Sequence, residues 1–428
     1  MLRPEFKKHQ LEALEQTEGK SRVAYYMGMG TGKTFVGCEQ MLRYGNEYNL
    51  CICQSSKVDD WVEHFKAYTD LDVIDYTKPK AEVRPGVIVV SYGTVWRRPE
   101  LSKLKGFTLI LDESSKVQHK GTRKKPIKQT MFIVDKLKPK NVILLSGTPC
   151  NGKYENLYSQ IQLLGANISK KDYMNRYIDY EMCDVLDWSM GTPVPTGKKY
   201  PNVLGYKRIE ELKANLRKAG AVFMLSDDVL DLPPQTEQIV KVKAIPEYRK
   251  FKTDRIVTID GIEYVGDTAL TKMLRERQLC SGLNKHKLNA LSDMLDSTED
   301  RLVIFYNFQE EFVKISQLCE IKGKKMSFCN GAGRDLTAYE NCSQSVTLVQ
   351  FQAGAHGLNL QKANKLVMFS LPLSCELYDQ AKARIHRLGQ ERPTFYWYLM
   401  TKGSIEEKIH ETLIRGHDFT VELFKESE

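Results

Sequence analysis

The chain has 428 residues, with 63 basic and 54 acidic side chains, a formal net charge of +9 and 42% hydrophobic residues. That composition excludes a disordered chain and supplies core enough for two or three domains. No apolar run reaches the ~20 residues that span a bilayer, and the opening MLRPEFKKHQ lacks the apolar centre of an export signal. No membrane partner is therefore expected, and the expected location is cytoplasmic, or nuclear in a eukaryote.

In chain order, RVAYYM (22–27) reads as a strand, followed by a helix from about Lys33 to Gly45. LCICQ (50–54) is a second strand, and after it Trp61 and Phe65 share one face of an amphipathic helix, a spacing that favours core packing. GVIVVS (86–91), FTLILD (107–112) and NVILLS (141–146) follow. Continuous apolar runs, unlike alternating ones, mark strands covered on both faces, hence a parallel sheet flanked by helices. The pattern lapses over 165–235, where a helix near 207–219 precedes the double proline of LPPQTEQ, a linker signal. A helical stretch (267–296) leads to strands at LVIFY (302–306), VTLVQ (346–350), KLVMFS (365–370) and TFYWYLM (394–400), with Trp397 read as core. The expected fold is α/β, two tandem parallel-sheet lobes. The lobes are 1–230, with a helical extension from about 150, and 241–428, joined by a linker at 231–240. Ten scattered cysteines form no metal-knuckle spacing and read as reduced, buried thiols.

Residues 25–34, YYMGMGTGKT, set a glycine-dense turn between the first strand and the first long helix. The phosphate-loop pattern is G-x-x-x-x-G-K-[ST] in that context. Gly32, Lys33 and Thr34 satisfy its end, while Met27 stands at its first glycine. Gly28, Gly30, Thr31 and Gly32 are small enough for backbone N–H groups to converge on phosphates at a helix N-terminus. Lys33 then reaches the β- and γ-phosphates of ATP, and Thr34 holds Mg²⁺. The bland alternative is a turn without a ligand. Against it stands LILDES (109–114), where Asp112 is placed to bind the Mg²⁺ and Glu113 to orient and deprotonate the attacking water.

Together these residues resemble the core of a Snf2-type DNA translocase of helicase superfamily 2, over nearly the whole chain. In that family the first glycine of the loop is commonly replaced. LRPEFKKHQLEAL resembles the opening segment, which implies that Gln10 reads adenine. QSSKVDDWVEHF, VVSYGTV, LILDESSKVQHKGTRKK and LLSGTPCNGKYENLYSQI resemble successive motifs of the first lobe, with Ser115 where histidine is usual. RLVIFYNFQEEF and QFQAGAHGLNLQKANKLVMF resemble those of the second, with Ala355 in place of a glycine. YDQAKARIHRLGQ (378–390) matches the most specific motif at Gln380, Arg384, His386, Arg387, Gly389 and Gln390. FMLSDDVLDLPP lacks the basic residues often found before the linker, and NGAGRDLTAYENC is a shortened segment. The chain looks closest to the fork-remodelling, strand-annealing branch.

The resemblance implies a nucleotide cleft between the lobes. Arg384 and Arg387, three apart and so on one face if helical, are candidate arginine fingers. Gln380, one turn earlier, contacts the nucleotide. Ser146 and Thr148 sense the γ-phosphate from the first lobe, and Gly357 and Asn359 from the second. Basic residues concentrate in 119–141 and 196–220. They are either solvated faces or a polyanion track, and Arg123, Lys124 and Lys125 are the favoured DNA-phosphate contacts. The expected activity is DNA-dependent ATP hydrolysis driving movement on double-stranded or branched DNA, by a monomer. The alternatives are an RNA helicase and a DNA-binding scaffold with a decayed ATP site.

Overall fold

Apolar runs flanked by helical patterns demand strands buried on both faces, and the computed structural model, which describes residues 5–118, 120–121, 126–187, 194–354 and 358–424, has them. The chain divides into two units, Met1–Val229 with Phe419–Glu428, and Leu230–Asp418.

The first unit contains β1 (Arg22–Met27), β2 (Tyr48–Cys53), β3 (Val73–Asp75), β4 (Gly86–Ser91), β5 (Thr108–Asp112), β6 (Asn141–Ser146), β7 (Ile178–Asp187), β8 (Val194–Tyr206) and β9 (Ala221–Met224). Seven of these form one parallel sheet in the order β3-β4-β2-β5-β6-β1-β9, and β7–β8 pair as an antiparallel hairpin. Alternate residues of each central strand feed different cores. Ala24, Tyr26, Ile52, Leu111 and Leu144 join one, and Val23, Tyr25, Cys51, Ile110 and Ile143 join the other. A strand with apolar residues at every position satisfies both faces at once. Helices α1 (Lys8–Gln16), α2 (Lys33–Tyr44) and α3 (Val58–Tyr68) supply part of the second core through Ala13, Leu14, Val36, Met41, Trp61 and Phe65. All ten cysteines are free thiols, Cys51 and Cys53 being buried in β2.

The second unit repeats the scheme with β10 (Gln235–Val242), β11 (Ile256–Ile259), β12 (Ile262–Val265), β13 (Leu302–Tyr306), β14 (Met326–Asn330), β15 (Gly333–Asp335), β16 (Val346–Gln350), β17 (Lys365–Met368) and β18 (Thr394–Thr401). Its sheet runs β10-β18-β17-β13-β16-β14-β15, parallel except for β15. No helix among the described residues is long and apolar enough to cross a membrane.

The structure departs from the sequence reading in five places. Residues 150–230 hold three helices of six to ten residues, Tyr158–Leu163, Lys170–Tyr177 and Ile209–Lys218, yet also the β7–β8 hairpin and β9. β9 is four residues long, too short for a periodic signal, and docks on β1 because Gly220 precedes it. A Cβ on Gly220 would lie 2.4 Å from the Arg22 carbonyl oxygen, and its φ of +104° suits glycine alone. The segment read as a linker, 231–240, is strand from Gln235 onward, an edge strand exposed along most of its length, with Val240 and Val242 partly buried. The helical stretch 267–296 is two helices, Ala269–Cys280 and Lys285–Asp296. The last helix, Ile405–Phe424, belongs to the second unit only through Asp418. From Phe419 it counts with the first, where the Tyr154 hydroxyl donates to the Phe419 carbonyl at 2.8 Å and Leu423 and Phe424 join the core. Trp397 is only partly buried, its indole N–H donating to Gln238 at 3.1 Å.

Candidate nucleotide site

β1 stops at Met27, and the turn that follows is closed by Thr31 and by side chains from other segments. The Thr31 hydroxyl donates to the Gly28 carbonyl at 2.7 Å, and Ser226 donates to the Met29 carbonyl at 2.7 Å. The Thr31 carbonyl receives Gln10 Nε2 at 3.0 Å and lies 2.8 Å from His9 Nε2. Gly30 and Gly32 have φ of +81° and +80°, a region closed to most side chains. A Cβ on Gly32 would stand 2.1 Å from Gln10 Nε2, and one on Gly28 would stand 2.2 Å from Ser226 Oγ. Met27 is the last residue of β1 and fully buried, so a glycine there is not needed. With these carbonyls occupied, the first amides of α2 face outward without intrahelical acceptors, and the positive end of the helix dipole adds to them. The loop is built to hold an anion. Gln10 is 7% exposed and bound to loop backbone, its Oε1 accepting from Lys7 N at 2.9 Å. In this structure it braces the turn.

The strand order puts β5 next to β6, and β6 next to β1, with Asp112 level with Leu145 and Tyr26 level with Ser146. Asp112, Glu113, Ser146 and the phosphate loop therefore share the carboxyl edge of the sheet, where open α/β sheets bind ligands. Asp112 Oδ2 accepts the Trp61 indole N–H at 2.8 Å, and the Tyr92 hydroxyl donates to the Asp112 carbonyl at 2.9 Å. Trp61 is thus core, as its spacing suggests, and also a clamp on the carboxylate. Spacing carries no signal for that second role. Burial, then the charge of Glu113, pushes the Asp112 carboxyl up to about 6, against the pull of the Trp61 bond and of Lys33. A divalent cation there would relieve that penalty. No group of three or more His, Cys, Asp or Glu side chains among the described residues is placed to hold a metal. The Asp112 carboxylate, and the Thr34 hydroxyl at the start of α2, are the donors that a Mg²⁺ carried in by phosphates would meet.

Glu113 has φ +49°, one of five non-glycine residues with positive φ among those described. Such strain, on the order of 1–3 kcal/mol, persists only where surroundings enforce it. Ser146 Oγ lies 3.4 Å from Glu113 Oε2 and accepts from Thr148 N at 3.1 Å. Ser146 thus borders Glu113, and Thr148 reaches it only through its N–H bond to Ser146. The Ser115 hydroxyl, in the position where histidine is usual, is buried and has no hydrogen-bond partner among the described residues.

The arginines of the second unit need a correction. The helix Cys375–Lys382 ends before them, so Arg384 and Arg387 leave from successive turns and do not share a helix face. They converge nonetheless. Arg384 Nη1 donates to the Leu358 carbonyl at 3.2 Å and Arg387 Nη1 to the same oxygen at 3.4 Å, while Arg387 also bonds Asn359 Oδ1. Gln390 Nε2 fixes the turn through the carbonyls of Gln361, Ala363 and Ile385 at 3.0, 2.8 and 3.0 Å. Gln380 is 2% exposed and its Nε2 donates to Glu376 at 3.3 Å. Its backbone carbonyl accepts Arg384 Nε at 2.9 Å, so it supports the arginine turn. Gly357 and the proposed DNA contacts Arg123, Lys124 and Lys125 lie outside the described residues.

One further group borders the loop. On α3 the half-buried His64 packs between the rings of Phe35 at 4.9 Å, Tyr68 at 4.8 Å and Trp61 at 5.7 Å, and burial lowers its pKa to about 4. An unfolded histidine titrates near 6.5, so His64 contributes stability that is complete above pH 6.5 and is lost as pH falls from there toward 4. Between pH 7.5 and 5.5, wild type should lose about 1 kcal/mol more unfolding free energy than His64→Phe in matched denaturant titrations. Equal pH dependence of the two proteins refutes the assignment.

A phosphate loop after β1 and an acid pair at the end of β5 in one parallel sheet define a P-loop nucleotide-hydrolase unit. The family is narrower than that. The SNF2-related domain model matches residues 23–285 and the helicase conserved C-terminal domain matches residues 286–389. The chain belongs to the SNF2-related family and is an ATP-hydrolysing enzyme of it. An uncharacterised ATP-dependent helicase of Bacillus subtilis is 21% identical, across 94% of this chain and 76% of its own length. A putative ATP-dependent helicase/translocase of the same bacterium is 24% identical over 89% of this chain and 44% of its own. A SWI/SNF-related regulator-of-chromatin subfamily A-like protein of Xenopus tropicalis is 24% identical over 89% of this chain and 40% of its own. The chain thus spans less than half the length of the last two. The SWI2/SNF2 ATPase core of Sulfolobus solfataricus, solved with double-stranded DNA, aligns with 100% of this chain at 18% identity and a TM-score of 0.45.

Proposed function

We propose that the protein is a motor that hydrolyses ATP to move along double-stranded DNA, acting at forks or branched DNA as a monomer. The observation that carries the reading is Glu113, an acid held in a strained turn between a metal-suited carboxylate and the Ser146 hydroxyl, at the sheet edge that also bears the phosphate loop. In turnover the amides of Gly30–Thr34 and the Lys33 ammonium bind the β- and γ-phosphates. Thr34 and Asp112 would hold Mg²⁺, which when bound neutralises phosphate charge. Glu113 orients the attacking water and takes its proton. Arg384 and Arg387 supply positive charge as the γ-oxygens become more negative.

DNA as the track rests on the +9 charge, on the basic stretch that follows β5, and on the family. Within that stretch Lys120 pairs with Asp135 at 2.6 Å and Lys128 lies 4.6 Å from the centre of the Trp96 ring, so part of its charge is structural. The test is the ATPase rate against single strand, blunt duplex, fork, four-way junction and RNA duplex. Duplex or branched DNA should stimulate turnover well above the rest. Stimulation by RNA duplex alone would make it an RNA helicase, and DNA binding without turnover would make it a scaffold.

A further inference from the structure

The helix Tyr158–Leu163 lies after the last first-lobe motif residue assigned to the nucleotide, yet it carries a glutamine, Gln160, with no exposed surface. Its amide meets three segments at once. Oε1 accepts from the Ser114 hydroxyl at 2.7 Å and from the Tyr26 hydroxyl at 3.1 Å, and Nε2 donates to the Pro149 carbonyl at 2.7 Å. Tyr26 sits one residue before the end of β1 and so leads into the phosphate loop. Ser114 is the residue after the strained Glu113, and Pro149 closes the Ser146–Pro149 turn whose Ser146 reaches Glu113.

The amide makes all three bonds from one side chain, its oxygen accepting two and its nitrogen donating the third. Each partner is buried or backbone, so an unmade bond here is expensive and the cluster behaves as one unit. The unusual φ of Glu113 needs anchors on both sides. Tyr92 holds Asp112 before it, and Gln160, through Ser114, holds the residue after it.

We propose that Gln160 is a positioning residue that ties the Asp112–Ser114 turn to the Ser146–Pro149 loop, so that a change at the base during hydrolysis moves the loop. The proposal rests on the motor reading above and names the contact that transmits its chemistry. Gln160→Met keeps length and apolar bulk but makes none of the three bonds. Ser114→Ala removes one bond and little volume.

In Gln160→Met, kcat of DNA-stimulated hydrolysis should fall about tenfold or more while KM for ATP changes by no more than about threefold. Distance moved per ATP should also fall. Adding Ser114→Ala to Gln160→Met should cost no more than Gln160→Met alone, because the shared bond is already gone. Without nucleotide, hydrogen exchange in 147–152 should accelerate in Ser114→Ala, although Ser114 makes no bond to that loop. Retention of kcat within about twofold by a folded Gln160→Met, additive losses, or unchanged exchange of 147–152 in Ser114→Ala would each overturn the proposal. Should Gln160→Met not fold, the exchange result in Ser114→Ala decides. Wild type without DNA-stimulated turnover would sink the motor reading instead, and the exchange measurement would still judge Gln160.

Discussion

Glu113→Gln should bind ATP close to wild-type strength and lower kcat by about 10²–10⁴. The substitution is nearly isosteric, so the left-handed turn and the contact with Ser146 have no reason to move. What disappears is the capacity to take a proton from water. A neutral amide beside Asp112 also removes one of the influences that raise the Asp112 carboxyl, so any metal-dependent part of ATP binding should hold or strengthen. Loss confined to kcat is the signature of an interaction that matters only in the transition state. Lys33→Ala should behave differently. It deletes a charge that meets phosphate in the ground state as well, so KM should rise together with the loss of turnover. Steady-state kinetics with a fluorescent-nucleotide Kd separate the two. Wild-type turnover in Glu113→Gln would mean that another group is the base.

The strands of both sheets were legible because parallel strands buried on two faces are written as unbroken apolar runs, as in GVIVVS and LVIFY. The phosphate loop and the acid pair were legible because glycine and carboxylate types are dictated by backbone approach and by charge. What escaped reading lacked local periodicity or depended on long-range partners. β9 is four residues whose strand character comes from β1 and Gly220. β10 looks like a polar linker until β18 is beside it. The β11–β12 hairpin had a signal that went unused, since Asp260-Gly261, both at positive φ, is the residue pair that a tight hairpin turn favours. Trp61 and Gln160 read as core and as helix, and their bonds to Asp112, Ser114 and Pro149 span 51, 46 and 11 residues of sequence. The spacing of Arg384 and Arg387 suggests a helix, but Ala383 caps the helix and Gly389, at φ +91°, belongs to the turn that follows.

That turn gives the two arginines unequal roles, and Arg387→Ala should show the larger kinetic loss. Arg384 spends Nε and Nη1 on the carbonyls of Gln380 and Leu358, so it holds the turn to the 358–360 segment, whose Leu360 N–H donates back to the Arg384 carbonyl at 3.1 Å. Arg387 makes a long bond to Leu358 and one to the side chain of Asn359, both of which can be exchanged for phosphate oxygens without unravelling backbone. If Arg387 supplies the transition-state charge, Arg387→Ala should cut kcat by about 10³–10⁵ with little change in melting temperature. Arg387→Lys should recover little of it, because an ammonium does not reproduce the planar fork of donors. Arg384→Ala should lower both kcat and thermal stability, as expected for a residue that shapes the turn. The comparison turns on the ratio of the two effects. Equal kcat losses with equal destabilisation would reduce both arginines to scaffolding. Near-normal turnover in Arg387→Ala would show that Arg387 does not supply the transition-state charge.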